Sequence, residues 1–260
     1  LSYSPVNSIS SLPSLTSPSV SQQAGVMVRE LTFQYYNQTP ILNNISFTLN
    51  LGERIALLGR TGTGKSTLME NLVGLKTANS GEVQILGTPL NSKTLSHIRR
   101  QIGFCFQDPN DQLFMPTILE DVSFGPQNYG VSSEVATEEA YQLLADFGLA
   151  DVVNRSVYEL SGGQRRLAAL ASVLALKPEI LILDEPTNGL DPWWRRHLAQ
   201  LLPQLPVQVL LIASHDLHWV SRVAERSMVL QGGQIVVDMP TEDLLRNHAT
   251  LDTYGLPLDY

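Results

Sequence analysis

The stretch Gly59-Arg60-Thr61-Gly62-Thr63-Gly64-Lys65-Ser66-Thr67 constrains this chain more than any other. Its spacing is G-x-x-x-x-G-K-[ST]. Ile55, Ala56, Leu57 and Leu58 precede it as a short buried strand, and Leu68, Leu72 and Leu75 follow at i, i+4 and i+7, one face of a helix. A glycine-rich turn that matched by chance would not be framed in this way. The glycines let the backbone wrap around phosphates with its N–H groups inward, and the helix start adds partial positive charge. Lys65 is placed to reach the β- and γ-phosphates of a nucleotide, and the Ser66 hydroxyl to take a Mg²⁺ position.

Composition narrows what such a loop can serve. At 260 residues the chain has room for one large domain or two small ones, with an ample core. The net charge of −8 argues against nucleic acid as a partner, since binding it calls for a basic face. It gives no support to a polybasic membrane anchor either. No run of 18 apolar residues occurs, so work at a membrane would need another protein to hold the chain there. The one cysteine, Cys105, excludes an internal disulfide and suits a reducing cytosol. Between Phe104 and Phe106 it reads as a packed core thiol.

Residues 1–24 are rich in Ser and Pro, without charge or apolar period, and read as a disordered tail that lacks the pattern of a secretory signal. An ordered domain is expected over 25–240. Val26, Val28, Leu31 and Phe33 suggest a strand whose alternation slips between 28 and 31, and Ile45 to Leu49 alternates cleanly. Gly52-Glu53 reads as a hairpin turn into the phosphate-loop strand, so an antiparallel β layer precedes the nucleotide core. Either Tyr35 or Tyr36 is a candidate to stack on a base; a strand tyrosine in a sheet face is the plainer reading. Val83 to Ile85 and Ile102 to Phe106 read as further strands. Asp108 to Asn128 looks loop-like, with Pro109, Pro116 and Pro126, and a helix is expected from Glu134 to Phe147, stopped by Gly148. Residues 108–160 thus read as a helical insert in an α/β core. Within it, Leu113 and Phe114 are either an exposed docking patch or buried in the insert.

Two further stretches carry chemistry. Leu160-Ser161-Gly162-Gly163-Gln164 precedes Leu167, Leu170 and Leu174 on one helical face, which makes Ser161 either a simple N-cap or part of an anion site. Ile180 to Leu183 is an uninterrupted apolar strand ending in Asp184-Glu185, the position where open α/β sheets bind ligands. Asp184 suits a Mg²⁺ ion held through water, and Glu185, one residue on, is free to polarise an attacking water. Val207 to Ala213 is another apolar strand, closing on Ser214-His215-Asp216. A lone histidine there is usually structural; at the end of a strand of the same sheet, His215 is also a candidate to face the γ-phosphate. A last hairpin around Gly232-Gly233 and a helix and tail over 241–260 follow.

Taken together, these stretches resemble the ATP-binding subunits of ABC transporters over about residues 26 to 240. The segments 59–67 and Asp184-Glu185 match Walker A and Walker B, Gln107 the Q-loop, and Leu160 to Gln164 the LSGGQ signature. Asn188 to Asp191 match the D-loop and His215 the switch histidine. Tyr35, with Tyr36 as the alternative, matches the A-loop aromatic. A narrower likeness runs from Phe106 to Phe114, from Glu120 to Pro126 and from Thr187 to Pro192, where the chain resembles the energy-coupling-factor importers, among them cobalt- and nickel-uptake ATPases. The Ser-rich head is no family feature, and the tail beyond 240 is short.

The resemblance implies an α/β fold: a P-loop NTPase core of RecA-like type with an N-terminal antiparallel layer and an inserted helical subdomain. It implies a homo- or heterodimer closed on two ATP molecules, with Walker A of one subunit facing Ser161, Gly162, Gly163 and Gln164 of the other. Glu185 would be the general base, His215 would contact the γ-phosphate, and Gln107 would sense Mg²⁺ or γ-phosphate and relay closure to a transmembrane transporter subunit at the cytoplasmic face of the membrane. Metal contacts would come from Ser66, Gln107 and Asp184. A soluble ABC ATPase usually has two cassettes or a long coiled coil, and no sustained heptads occur here. A non-hydrolysing regulatory subunit would be expected to have lost Glu185 or the signature, and both are intact.

Overall fold

The computed structural model describes residues 23–36 and 39–256. All but the last two residues of the 1–24 tail lie outside the described residues, as do Asn37, Gln38 and 257–260. The chain opens with β1 (Ala24–Phe33), β2 (Leu42–Asn50), β3 (Arg54–Leu58), α1 (Lys65–Leu72), β4 (Ser80–Ile85), the short β5 (Thr88–Pro89), α2 (Leu95–Gln101) and β6 (Ile102–Cys105). Then come α3 (Ile118–Asn128), α4 (Ser133–Asp146), α5 (Gly162–Leu174), β7 (Ile180–Asp184), α6 (Pro192–Leu201), β8 (Val209–Ser214) and α7 (Leu217–Val220). The strands β9 (Arg226–Gln231) and β10 (Gln234–Pro240) form the last hairpin, followed by α8 (Thr241–Arg246) and α9 (His248–Thr253).

Two sheets organise these elements. An antiparallel sheet runs β2-β1-β4-β5, and a six-stranded sheet runs β10-β9-β3-β8-β7-β6, parallel except for β10. Alternation within the parallel strands divides the core. Ile55 and Leu57 of β3 join Ile180, Ile182 and Leu211 on the face shared with α1 and the antiparallel sheet. Their neighbours Ala56 and Leu58 join Leu181, Leu183 and Ile212 on the face shared with α5 and α6. Apart from Arg54, Asp184 and Ser214 at their ends, β3, β7 and β8 are apolar throughout, as two covered faces require.

The slip in the β1 pattern is a bulge. Its register with β2 shifts between Val28 and Leu31, and Glu30 adopts φ 50°.

Four expectations are corrected. Gly52-Glu53 turns the chain but makes no hairpin, because β2 and β3 belong to different sheets and both edges of β3 are taken by β8 and β9. The stretch 108–128 is not all loop. Its second half is α3, started by a capping box in which Thr117 Oγ1 accepts from the Glu120 N–H and Glu120 accepts from the Thr117 N–H. Pro126 falls in the last turn, where it removes one helical bond, that to the Val122 carbonyl, without ending α3. Leu75 is outside α1 and exposed, the helix having ended before Gly74 at φ 67°. Leu113 and Phe114 part company: the first is 3% exposed and the second 65%. Elsewhere α4 runs within a residue of expectation, capped by Ser132 and followed by Gly148 at φ 73°.

Candidate functional site

Parallel register delivers the site. Leu58 pairs with Ser214, Asp184 with Ala213, and Cys105 with Leu183, so the chain leaves β3, β8, β7 and β6 at one level of one sheet edge. The phosphate loop, His215, Glu185 and Gln107 therefore emerge side by side. One pocket is lined by Thr61, Gly62, Gly64, Lys65, Ser66 and Thr67 together with Gln107, Glu185, Asn188, His215 and Ile41.

The loop is shaped by its glycines. Gly59 has φ 150°, and a Cβ there would sit 2.6 Å from the Leu230 carbonyl oxygen. Gly64, at φ 102°, is the N-cap of α1, and no side chain caps that helix. The first N–H groups of α1 are thus left for a ligand to satisfy. Thr63 Oγ1 donates to the Arg60 carbonyl at 2.9 Å and closes the loop, with Arg60 itself exposed.

Lys65 is buried. Its Nζ donates to the carbonyls of Gly59 at 2.7 Å and Arg60 at 3.3 Å, and lies 3.3 Å from Glu185 Oε1. The other oxygen of Glu185 accepts from His215 Nδ1 at 2.9 Å. Glu185 is buried and holds φ 43°, with its N–H on the Ala213 carbonyl at 3.0 Å. A non-glycine residue in that conformation costs about 1–3 kcal/mol and persists only where its surroundings impose it.

Asp184 is buried beside it and accepts a hydrogen bond from the Ser66 hydroxyl. Burial pushes its carboxyl above the usual carboxylate range, against the Ser66 hydrogen bond. Asp184 Oδ1 is buried without any hydrogen-bond partner. An orphaned carboxylate oxygen next to a serine hydroxyl is a donor set that fits a hard divalent cation such as Mg²⁺.

Tyr35 and Tyr36 are distinguished by placement. The Tyr35 hydroxyl is 3.4 Å from Thr67 Oγ1 and its ring stands edge-on to Phe33, whereas Tyr36 is 91% exposed. Ser161, Gly162, Gly163 and Gln164 do not line the pocket. Ser161 caps α5 in a capping box with Gln164, and Ser161 and Gly162 face solvent. Beneath them Gly163 lies so close to Trp194 that a Cβ would stand 2.2 Å from the indole ring. Trp194 is fixed by Asp191, which caps α6 through the N–H groups of Trp193 and Trp194. Ile41 completes the pocket wall, and nothing in an apolar residue ahead of a strand marks it as one in the sequence. Cys105 is buried, and desolvation pushes its thiol up to about 11.

Comparison with known proteins agrees with this geometry. Residues 42–188 match the ABC transporter family. A protein of Gloeobacter violaceus, provisionally named an ABC transporter ATP-binding protein, is 44% identical over 235 residues, covering 90% of this chain and 96% of the relative. The energy-coupling factor transporter ATP-binding protein EcfA of Methanothermobacter thermautotrophicus is 38% identical over 226 residues, covering 85% and 73% respectively. Among solved structures, cbiO1 of Clostridium perfringens, described as part of the ABC transporter complex cbiONQ, superposes with a TM-score of 0.79. It is 30% identical and the match covers 91% of this chain and 96% of that one.

Proposed function

The chain belongs to the ABC transporter ATP-binding family, whose members couple ATP hydrolysis to transport, and from that premise we propose that it drives an importer of the energy-coupling-factor type. The cargo would be cobalt, nickel or a vitamin. The observation that carries the reading is the shared pocket of Lys65, Gln107, Glu185 and His215, with the signature residues outside it on an exposed helix start. A site whose parts are divided in this way is completed by a second copy. The EcfA and cbiO1 likenesses support the importer type. Against a soluble ABC ATPase, the longest helix between β6 and α5 is α4, with 14 residues, too short for a coiled-coil arm.

In this reading Lys65 and the α1 N–H groups hold the phosphates of ATP, and Tyr35 stacks on the base. Ser66 and Asp184, with Gln107, hold Mg²⁺, which when bound offsets negative charge on the phosphates. Glu185 orients the attacking water and accepts its proton, and His215, bonded to Glu185, lies against the γ-phosphate. Ser161, Gly162, Gly163 and Gln164 of the second subunit close the site. Phe114 stands edge-on to Phe124 at 5.0 Å, both exposed, beside the Gln107 loop. They offer the apolar surface on which a transmembrane subunit would dock at the cytoplasmic face. No helix among the described residues is long and apolar enough to cross a membrane.

Size-exclusion chromatography tests the sandwich. A Glu185→Gln protein should dimerise with MgATP, and adding Ser161→Arg should abolish that dimer, because a bulky cation displaces the small hydroxyl. A dimer that survives the second change refutes it. Reconstitution with the co-purified membrane subunit, followed by uptake of radiolabelled cobalt, nickel and vitamins, tests the importer; ATP-independent uptake would reject this role.

A further inference from the structure

Arg166 is a charged residue that the chemistry above does not use. It lies on α5, five residues after Ser161, and is 4% exposed. No salt bridge to it is found among the described residues. Instead Nη1 donates to the Phe106 carbonyl at 2.9 Å and Nη2 to the Gln107 carbonyl at 2.6 Å, while Nε is buried without a partner. Burial lowers its pKa, against the pull of Asp108 and Asp184. A guanidinium held out of water is costly unless it is paired or hydrogen-bonded, and here two carbonyls supply the bonds. Here the planar fork spans two successive carbonyls, a geometry no other side chain reproduces.

A second link runs the other way. Gln112 accepts from the Phe106 N–H at 3.3 Å through Oε1, and through Nε2 donates to the Ala169 carbonyl at 2.5 Å and the Ser172 hydroxyl at 2.8 Å. Arg166, Ala169 and Ser172 recur every third residue along one flank of α5. Residues 106–112 are therefore fastened to the helix at both ends. β6, which leads into them, is the edge strand of the parallel sheet and so the least restrained of the strands that feed the pocket.

We propose that Arg166 is a positioning residue that makes the Gln107 loop and the signature helix one mechanical piece. Ser161 lies about 7.5 Å along the helix axis from Arg166, within one rigid element. A shift of the helix start against a second subunit therefore carries the Gln107 backbone with it. Gln107 reaches its working position only when Ser161 of the same chain does, so that each subunit's pocket registers contact at the other. The inference rests on the role given to Gln107 above, and deepens it by naming what sets that residue's place.

The test is a double-mutant cycle on steady-state ATP hydrolysis with four proteins: the parent, Arg166→Lys, Gln107→Ala and the double variant. Melting temperature and ATP affinity are measured on each. Lysine keeps the buried charge, but one ammonium cannot fork across two carbonyls. Arg166→Lys should lower kcat about ten- to hundredfold, with KM for ATP within about twofold, the cost of a misplaced group rather than a lost one. In the Gln107→Ala background it should cost nothing further, because its route of action is gone. Losses that multiply in the double variant, or a kcat that falls only with the folded fraction, overturn the inference and leave the role of Gln107 standing. A Gln107→Ala protein that turns over at the parent rate removes that role and the inference together. Should Arg166→Lys not fold, Gln112→Met cuts the return link of the same segment and enters the same cycle with the same expectations.

Discussion

Replacing Glu185 by Gln should move ATP affinity and turnover in opposite directions. On the proposed reading the phosphates of an incoming nucleotide would claim the ammonium of Lys65, which in the structure lies 3.3 Å from the Glu185 carboxylate. Both side chains are buried. At an effective dielectric near 20 the gross attraction is about 5 kcal/mol, most of which offsets the desolvation of two charges. With glutamine the ammonium still makes a hydrogen bond to a charged group, about 1.5–3 kcal/mol, but no longer an ion pair; a fall from the upper to the lower part of that range weakens the hold on Lys65 by roughly 1 kcal/mol. Freed by that amount, Lys65 should bind ATP about fivefold more tightly. Turnover should fall by about two to four orders of magnitude, the reach of a general base, or roughly 3–5 kcal/mol of barrier. The amide has one oxygen for two partners: with that oxygen toward Lys65 its NH2 faces His215 Nδ1, which can then accept as the other tautomer, and the left-handed backbone at 185 is unchanged in kind. Titration calorimetry with MgATP gives the first quantity and phosphate release the second. Turnover at the parent rate would mean another residue is the base. Weaker ATP binding would mean that the carboxylate assists the nucleotide rather than competing with it.

Three further outcomes follow from the packing. Phe114→Ser should weaken association with the membrane subunit in a pull-down and leave the melting temperature nearly unchanged, whereas Leu113→Ser, in the core, should destabilise the fold by about 2–5 kcal/mol in a denaturant titration; the reverse pattern would reject the patch. Gly163→Ala drives a methyl group into the Trp194 ring and should cost about 1–3 kcal/mol by the same titration, and an unaffected midpoint would mean that the two helices separate easily. Cys105, buried and with its thiol pushed up to about 11, should stay unlabelled by a disulfide reagent at pH 8 until denaturant is added; rapid labelling of the native protein would contradict its burial.

The chemistry was more legible in the sequence than the joints that hold it. Walker A, the apolar run 180–183 and the Gly148 stop of α4 are local signals, each complete within about a dozen residues, and their elements formed where local physics puts them. The Gly52-Glu53 turn shows the limit. A turn of this kind looks the same whether it returns a strand to its partner or passes it to another sheet, and only β8 and β9, more than 150 residues later, decide. α3 was hidden by its prolines, although Thr117-x-x-Glu120 was there to mark its start. Leu113 and Phe114 are adjacent and equally apolar, so no sequence window separates them. Asp121 does so in space: its Oδ1 takes the N–H groups of both Phe114 and Met115 and fixes which side chain turns inward. Arg166 and Gln112 carry no local signature, because their partners lie some sixty residues away.

Several of the costs in this molecule meet at one place. Lys65 is a buried ammonium, Glu185 a left-handed carboxylate, Asp184 has an orphaned oxygen, and Arg166 is a buried guanidinium on carbonyls. All four gather at the edge where the parallel strands end, while the faces of the same strands are filled with Ile, Leu and Val. Apolar burial along β3, β7 and β8 gives the margin that lets unfavourable polar groups persist at their tips. A substitution that relieves one of these costs should therefore stabilise the fold at the expense of the site. Glu185→Gly marks the limit of that trade: it removes the backbone strain of φ 43°, about 1–3 kcal/mol, but also the carboxylate bonded to both Lys65 and His215, and it leaves the Lys65 ammonium buried without its anion, a larger cost of about 3–5 kcal/mol. A polar residue at the middle of β7 would bring the opposite result, a weaker fold with every group of the site still present.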